Sequence, residues 1–209
     1  MAITLAAALA LAAHCAPAVA PETLLSVVQV ESRFEPLAIG VNGAPRVVVE
    51  PTSIDDAVVK AAALIKVGRN IDLGLAQINS KNLSWLGLSL AEAFEPCTHL
   101  RAAARILQDG YGRSDAARVG EQAALKTALS YYNTGHPDRG FSNGYVAKVA
   151  TAADRIVPAI AGASAATVSL SAPSAPPEIP RSWDVFGEVH RGRSSFVTTV
   201  STTTTGGLQ

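Results

Sequence analysis

Glu31 is a carboxyl where helical periodicity asks for a leucine. Leu24, Val27 and Val28 form one apolar face at i, i+3 and i+4, and Glu31 is the next position on that stripe. Burial without a partner penalises the charged form of a carboxyl and raises its pKa. A glutamic acid still protonated near neutral pH is what a general acid needs to cleave a glycosidic bond. The position also suits a glutamate paired with a buried arginine or capping backbone groups, as most helical glutamates do no chemistry. Glu35 is a weaker candidate, because it precedes Pro36 where the helix frays.

Two further segments bring hydrogen-bonding side chains. Asp72-Leu-Gly-Leu-Ala-Gln77-Ile-Asn79 combines a carboxylate with two amides, and Ser130-Tyr-Tyr-Asn-Thr-Gly135 ends a helix. Gln77, Asn79 and Asn133 are the donor–acceptor amides that can grip sugar hydroxyls and N-acetyl groups. Tyr132 lies on the apolar stripe of its helix, after Leu125 and Ala128, so its buried hydroxyl needs a partner. Glu31 is the partner expected. Asp72 has two readings. It positions a water in a substrate groove, which would give hydrolysis, or it caps the turn that follows it.

The elements that must hold these groups are mostly helical. Glu22–Phe34 follows Pro21 and stops ahead of Pro36; Ser53–Val67 has an N-cap at Ser53, acids at Asp55 and Asp56, and Gly68 past its end. Ser89–Glu92 is a capping box, and Thr98 is placed to cap a helix reaching Gln108. Glu121–Tyr132 and Gly144–Val157 are the remaining periodic stretches, the second closed by Pro158. Strand evidence is confined to Arg46-Val-Val-Val-Glu50 after the turn signal Asn42-Gly43, which predicts a small hairpin.

Composition bounds the rest. The 209 residues accommodate one ordinary domain with some sequence to spare, and 48% apolar residues suffice for a core. Seventeen basic and seventeen acidic side chains cancel, so there is no basic field for nucleic acid. Four scattered histidines (His14, His99, His136, His190) show no metal-ligand spacing, and neither a metal nor an organic cofactor is expected. Residues 161–209 are rich in Ala, Ser, Pro and Thr, with four prolines between Pro173 and Pro180, and read as a flexible tail. Within it, Trp183-Asp-Val-Phe186 either folds back on the domain or docks to a partner.

The N-terminus is ambiguous on its own. An apolar run from Met1 to Ala13 and a small-residue site at Ala18-Val-Ala20 suit a signal peptide, but no basic residue precedes the run. The alternative is a retained Ala-rich helix. Cys15 and Cys97 are then two buried thiols or, in an oxidising compartment, a disulfide closing a loop of roughly 80 residues, a contribution of about 3–5 kcal/mol.

Taken in order, Glu31-Ser32, Gly74-Leu-Ala-Gln77-Ile and Tyr132-Asn133 resemble the three-motif signature of the lytic transglycosylases of the lysozyme-like superfamily. Cys15-Ala-Pro-Ala-Val-Ala-Pro21, Asp72–Asn79 and Ala128–Gly135 look closer still to the VirB1-type enzymes of type IV secretion systems. The resemblance spans roughly residues 10–157. It implies a lysozyme-like α+β fold, mostly α, with a peptidoglycan groove between helical parts and a small β element. It implies Glu31 as catalytic acid and base, Ser32 as its supporting neighbour, and Gln77, Tyr132 and Asn133 as substrate-side residues. It also favours retention of residues 10–20 within a domain of residues 1–160. Two departures stand out: Ala76 where methionine is common in the second motif, and Tyr131 where the third usually has alanine.

With one obvious carboxylate, the implied route is substrate-assisted, leaving a 1,6-anhydro ring on N-acetylmuramic acid after cleavage of its β-1,4 bond to N-acetylglucosamine. The implied location is the periplasm, and the implied partners are glycan strands and, through the tail, secretion subunits. The rivals are a lysozyme-like hydrolase using Asp72 and a non-catalytic assembly factor.

Overall fold

A computed structural model describes residues 1–45 and 47–168. Helix α1 (Leu5–Cys15) starts at Thr4, whose hydroxyl accepts from the Ala7 amide, and turns Ala8, Ala12 and Cys15 inward. Helix α2 (Pro21–Glu31) opens on a proline, whose missing N–H costs nothing in the first turn. Leu24, Leu25, Val27 and Val28 are all fully buried, so α2 is apolar on more than one side and forms the centre of the molecule. Each such side chain contributes about 1.5–3 kcal/mol on burial.

Among the described residues, three short strands follow α2 in a single antiparallel sheet of order β1–β2–β3: β1 (Ile39–Val41), β2 (Ile71–Leu73) and β3 (Ile78–Asn79). Helix α3 (Ile54–Lys66) lies between β1 and β2 in sequence, with the Ser53 hydroxyl accepting from Asp56 N–H. The two-residue period sends Ile71 and Leu73 into the core and leaves Asp72 on the other face, opposite Gly40 and Asn79.

The valine-rich run at 47–50 is not a strand, contrary to the hairpin its β-branched residues predict. Val48 is 77% exposed, and the Glu50 carbonyl accepts from Lys60 Nζ in place of a ladder partner. The run has strand propensity but no neighbouring strand to pack against.

The rest of the domain is helical: α4 (Leu83–Leu86), α5 (Pro96–Gly112), α6 (Ala116–Val119), α7 (Glu121–Thr134), α8 (Arg139–Ser142) and α9 (Tyr145–Val168). Ser89 and Glu92 form the reciprocal capping pair, but the turn they open is a 3-10 turn over Glu92–Phe94. Glu95, not Thr98, caps α5, accepting from the Cys97 and Thr98 amides. Helix α9 runs past Pro158 instead of stopping there. The proline leaves the Asp154 carbonyl without its i+4 amide partner, and Asp154 is an exposed residue.

Helix α2 packs against α9 and α1, and α5 against α1 and α7. Cys15 at the end of α1 and Cys97 in the first turn of α5 are joined by a disulfide, Cα–Cα 5.4 Å. Among the described residues, no helix is long and apolar enough to cross a membrane. The Trp183–Phe186 cluster lies outside the described residues.

Candidate active site

Helix α2 ends at Glu31, three residues short of the expected Phe34, because the chain reverses there. Ser32 is the C-cap, and Arg33 and Phe34 adopt left-handed conformations at φ 56° and 67°. Among the described residues, the third non-glycine residue with positive φ is Gln77, at 48°. Such conformations cost about 1–2 kcal/mol each for side chains with a Cβ. Gln77 lines a groove, and Arg33 and Phe34 come two and three residues after Glu31, which lines it too; stored strain concentrates around such sites.

That groove has a volume of about 610 Å³, and Glu31, Asp72, Gln77, Asn79, Tyr132 and Asn133 line it together. Glu31 is half-buried at its edge. The Tyr145 hydroxyl, at the first residue of α9, donates to Glu31 Oε1 at 2.6 Å. Burial pushes the Glu31 pKa up to about 7, opposed by the Tyr145 hydrogen bond and assisted by the negative charge of Asp72. Glu35 bonds instead to the Met1 amino group at 2.9 Å.

Tyr132 is not the partner of Glu31. Its hydroxyl donates to the Ala76 carbonyl at 2.7 Å, tying the end of α7 to the loop before β3. The carboxyl takes the other tyrosine, Tyr145, which the sequence reading missed. A signal for it existed: Tyr145 heads the apolar stripe continued by Val149, Ala153 and Ile156, so it too needed a hydroxyl partner.

Ser32 lies behind the groove wall, its hydroxyl donating to the Leu75 carbonyl at 2.6 Å. Gln77 Nε2 donates to the carbonyls of Gly74 (2.9 Å) and Ala38 (3.2 Å), so its amide protons anchor the loop, and Oε1 is what it can offer a ligand. A Cβ at position 40 would lie 2.5 Å from that oxygen, which accounts for a glycine in β1. Asn79 Nδ2 donates to Asn70 Oδ1 at 2.9 Å and to Asp72 Oδ1 at 2.7 Å, so Asn79 serves as scaffold for the carboxylate. Asn133 Oδ1 accepts from Asn143 Nδ2 at 2.8 Å, while its side chain borders the groove.

Asp72 caps no backbone turn. Its second oxygen accepts from Asn42 Nδ2 at 2.7 Å, so two asparagines fix an acidic group facing the same groove as Glu31. Asn42 and Asn70 escaped the sequence reading because they resemble ordinary turn residues. Trp85, Tyr131 and Arg113 also line the groove, with the Arg105 guanidinium 4.9 Å from the Trp85 ring centroid and that of Arg113 5.5 Å from Tyr131.

A carboxyl with its pKa raised to about 7, sharing a groove with the hydrogen-bonded Asp72 side chain, amides and aromatic rings, suits acid-catalysed cleavage of a sugar polymer. Replacing Tyr145 by Phe removes the bond that favours the charged form of Glu31. Its pKa then moves further up, and the alkaline limb of the kcat/KM profile shifts to higher pH. Activity at the optimum should fall on the order of tenfold as the carboxyl loses its orientation. A pH–rate profile checks both, and an unmoved alkaline limb would refute the coupling.

The chain is similar to proteins of one family over most of its length. The profile of the transglycosylase SLT domain matches residues 8–154. The type IV secretion system protein VirB1 of Brucella suis is 42% identical over 177 residues, covering 79% of this chain and 74% of the relative. The VirB1 protein of Agrobacterium fabrum is 40% identical over 180 residues, 86% of this chain and 70% of the relative. No solved structure matches the chain. With the domain profile spanning α1 to α9 and the VirB1 proteins alike over most of their length, the chain belongs to the SLT transglycosylases and is a lytic transglycosylase of the VirB1 type.

Proposed function

We propose that the chain cleaves the β-1,4 bond between N-acetylmuramic acid and N-acetylglucosamine in peptidoglycan, with a 1,6-anhydro product, and opens the periplasmic wall for a type IV secretion apparatus. The observation that carries this reading is the half-buried Glu31 carboxyl, raised to about 7 and oriented by Tyr145. Tyr145 occupies Oε1, which leaves Oε2 to exchange a proton with substrate. Glu31 protonates the glycosidic oxygen as the C1–O bond breaks, and the acetamido carbonyl of the muramic residue stabilises the cationic C1. The carboxylate of Glu31 then takes the proton of the C6 hydroxyl while O6 bonds to C1. Proton and leaving group balance without water. The secretion role rests on the names of the VirB1 relatives, and docking through the Trp183–Phe186 stretch belongs to the same proposal.

A second reading is supported by Asp72, held by Asn42 and Asn79 on the groove. It would position a water to attack C1, giving a reducing end. Mass spectrometry of muropeptides released from purified peptidoglycan separates the two. Anhydromuramyl ends are expected; reducing ends throughout would overturn the transglycosylase chemistry and move Asp72 into the catalytic pair.

A further inference from the structure

His99 takes no part in the chemistry above, yet it is almost wholly buried and both ring nitrogens are engaged. Nδ1 lies 2.6 Å from the Ala93 carbonyl oxygen, and Nε2 lies 3.0 Å from the Ala76 amide nitrogen. A carbonyl can only accept and an amide N–H can only donate, so the two partners dictate the tautomer. Nδ1 carries the proton and Nε2 accepts. A second proton would set Nε2–H against Ala76 N–H with no room to move. Burial holds the ring pKa down at about 4, against the opposing influence of the Ala93 bond and of Glu95, so the ring is neutral at ordinary pH.

The amide that His99 holds is the Leu75–Ala76 peptide group. Its N–H end is gripped by His99, while its carbonyl end, Leu75 O, accepts from Ser32, the residue after Glu31. The next carbonyl, Ala76 O, accepts from Tyr132. One peptide plane therefore links α5, the end of α2 and the residue preceding Gln77, whose backbone is left-handed. Packing leaves no slack on the imidazole side: a Cβ on Gly74 would lie 2.7 Å from His99 Cε1 and 2.8 Å from Ala93 O.

We propose that His99 is a positioning residue for the cleavage, fixing the Leu75–Ala76 peptide group and through it the register between Glu31 on α2 and Gln77 in the groove loop. The proposal rests on Glu31 and Gln77 acting on glycan, as argued above.

The test compares wild type with His99→Gln and His99→Leu in the full chain. Glutamine offers an NH2 donor and an acceptor oxygen in place of the imidazole pair; leucine offers neither. The release rate, split into kcat and KM, is expected to keep kcat within about threefold for Gln and to lose tenfold or more for Leu. KM should stay within about threefold in both. Amide hydrogen exchange supplies a readout independent of product chemistry. Ala76 should lose protection in His99→Leu while amides of α2 keep theirs, and the Gln77 side-chain resonance should shift. In wild type, the 15N shifts of the His99 ring should identify Nδ1 as the protonated nitrogen.

Full kcat in His99→Leu, unchanged Ala76 exchange, or a proton on Nε2 would each overturn the proposal. Should His99→Leu fail to fold, a tenfold kcat loss in a well-folded His99→Gln overturns it and retention supports it. Reducing-end products from wild type would refute the anhydro chemistry and leave the His99 comparison intact. A wild type that released nothing would refute the cleavage reading, and the exchange and ring-nitrogen measurements would still decide where His99 holds the loop.

Discussion

Glu31→Gln is expected to lower muropeptide release by about 10²–10⁴-fold, the range attached to a general acid–base group. Glutamine keeps the shape of the side chain and can still accept from Tyr145, so glycan binding should survive while proton delivery is lost. The substitution should also stabilise the fold at alkaline pH. With a folded pKa of about 7 against an ordinary value of 4.5, the native state holds a proton that the unfolded chain releases between those values. That contribution is fully present below pH 4.5 and is lost as pH rises through about 7. Above it the wild type buries part of a charge that glutamine lacks, a difference on the order of 2 kcal/mol after allowing for solvent screening. Thermal unfolding at two pH values therefore checks the same residue as the activity assay. An inactive variant that is no more stable than wild type at alkaline pH would mean that Glu31 is not desolvated. An active one would remove it from the chemistry and favour a groove that only binds the wall.

Much of the framework was legible because it is local. The Ser53 cap, the stop of α7 near Asn133 and the helical stripe that flags Glu31 all follow from spacings within one element. What the sequence concealed is tertiary. Two tyrosines lie on apolar stripes, and nothing local says which reaches the carboxyl; the answer, Tyr145, stands 114 residues from Glu31. Strand propensity misled for a related reason. Val47–Val49 resembles a strand more than Ile71–Leu73 does, but only the latter meets neighbours on both edges. Asn79 and Gln77 suggested substrate amides, yet their NH2 groups serve Asp72 and the loop backbone, leaving less of each for the sugar. His99 has no metal-ligand spacing to mark it, and its meaning lies in two backbone groups on either side of it.

Removing the disulfide is the structural change with the largest expected cost. The Cys15–Cys97 link joins residues 82 apart, and closing a loop of that length restricts the unfolded chain by about 4 kcal/mol in the entropic account. Apart from the disulfide, α1 is held by packing alone, with Leu5, Leu9 and Leu11 only partly buried against the core. Its fully buried residues besides Cys15 are Ala8 and Ala12, whose small side chains let α1 approach its neighbours closely but bury little apolar area. The double variant Cys15→Ser, Cys97→Ser avoids a stray thiol and should lower Tm by roughly 10 °C or more for a domain of this size. Hydrogen exchange should show α1 opening first, since a weakly packed element opens below the global free energy. Activity near room temperature should fall less than stability, because Glu31, Tyr145 and the Leu75–Ala76 plane are held by α2, α9 and His99. His99 sits two residues beyond Cys97, so a loosened start of α5 should reach the groove through Ala76 before it reaches Glu31. A Tm change below about 3 °C would mean that α1 is held by packing alone. The fold would then draw no stability from an oxidising compartment, and the periplasmic reading would have to stand on the groove and the relatives.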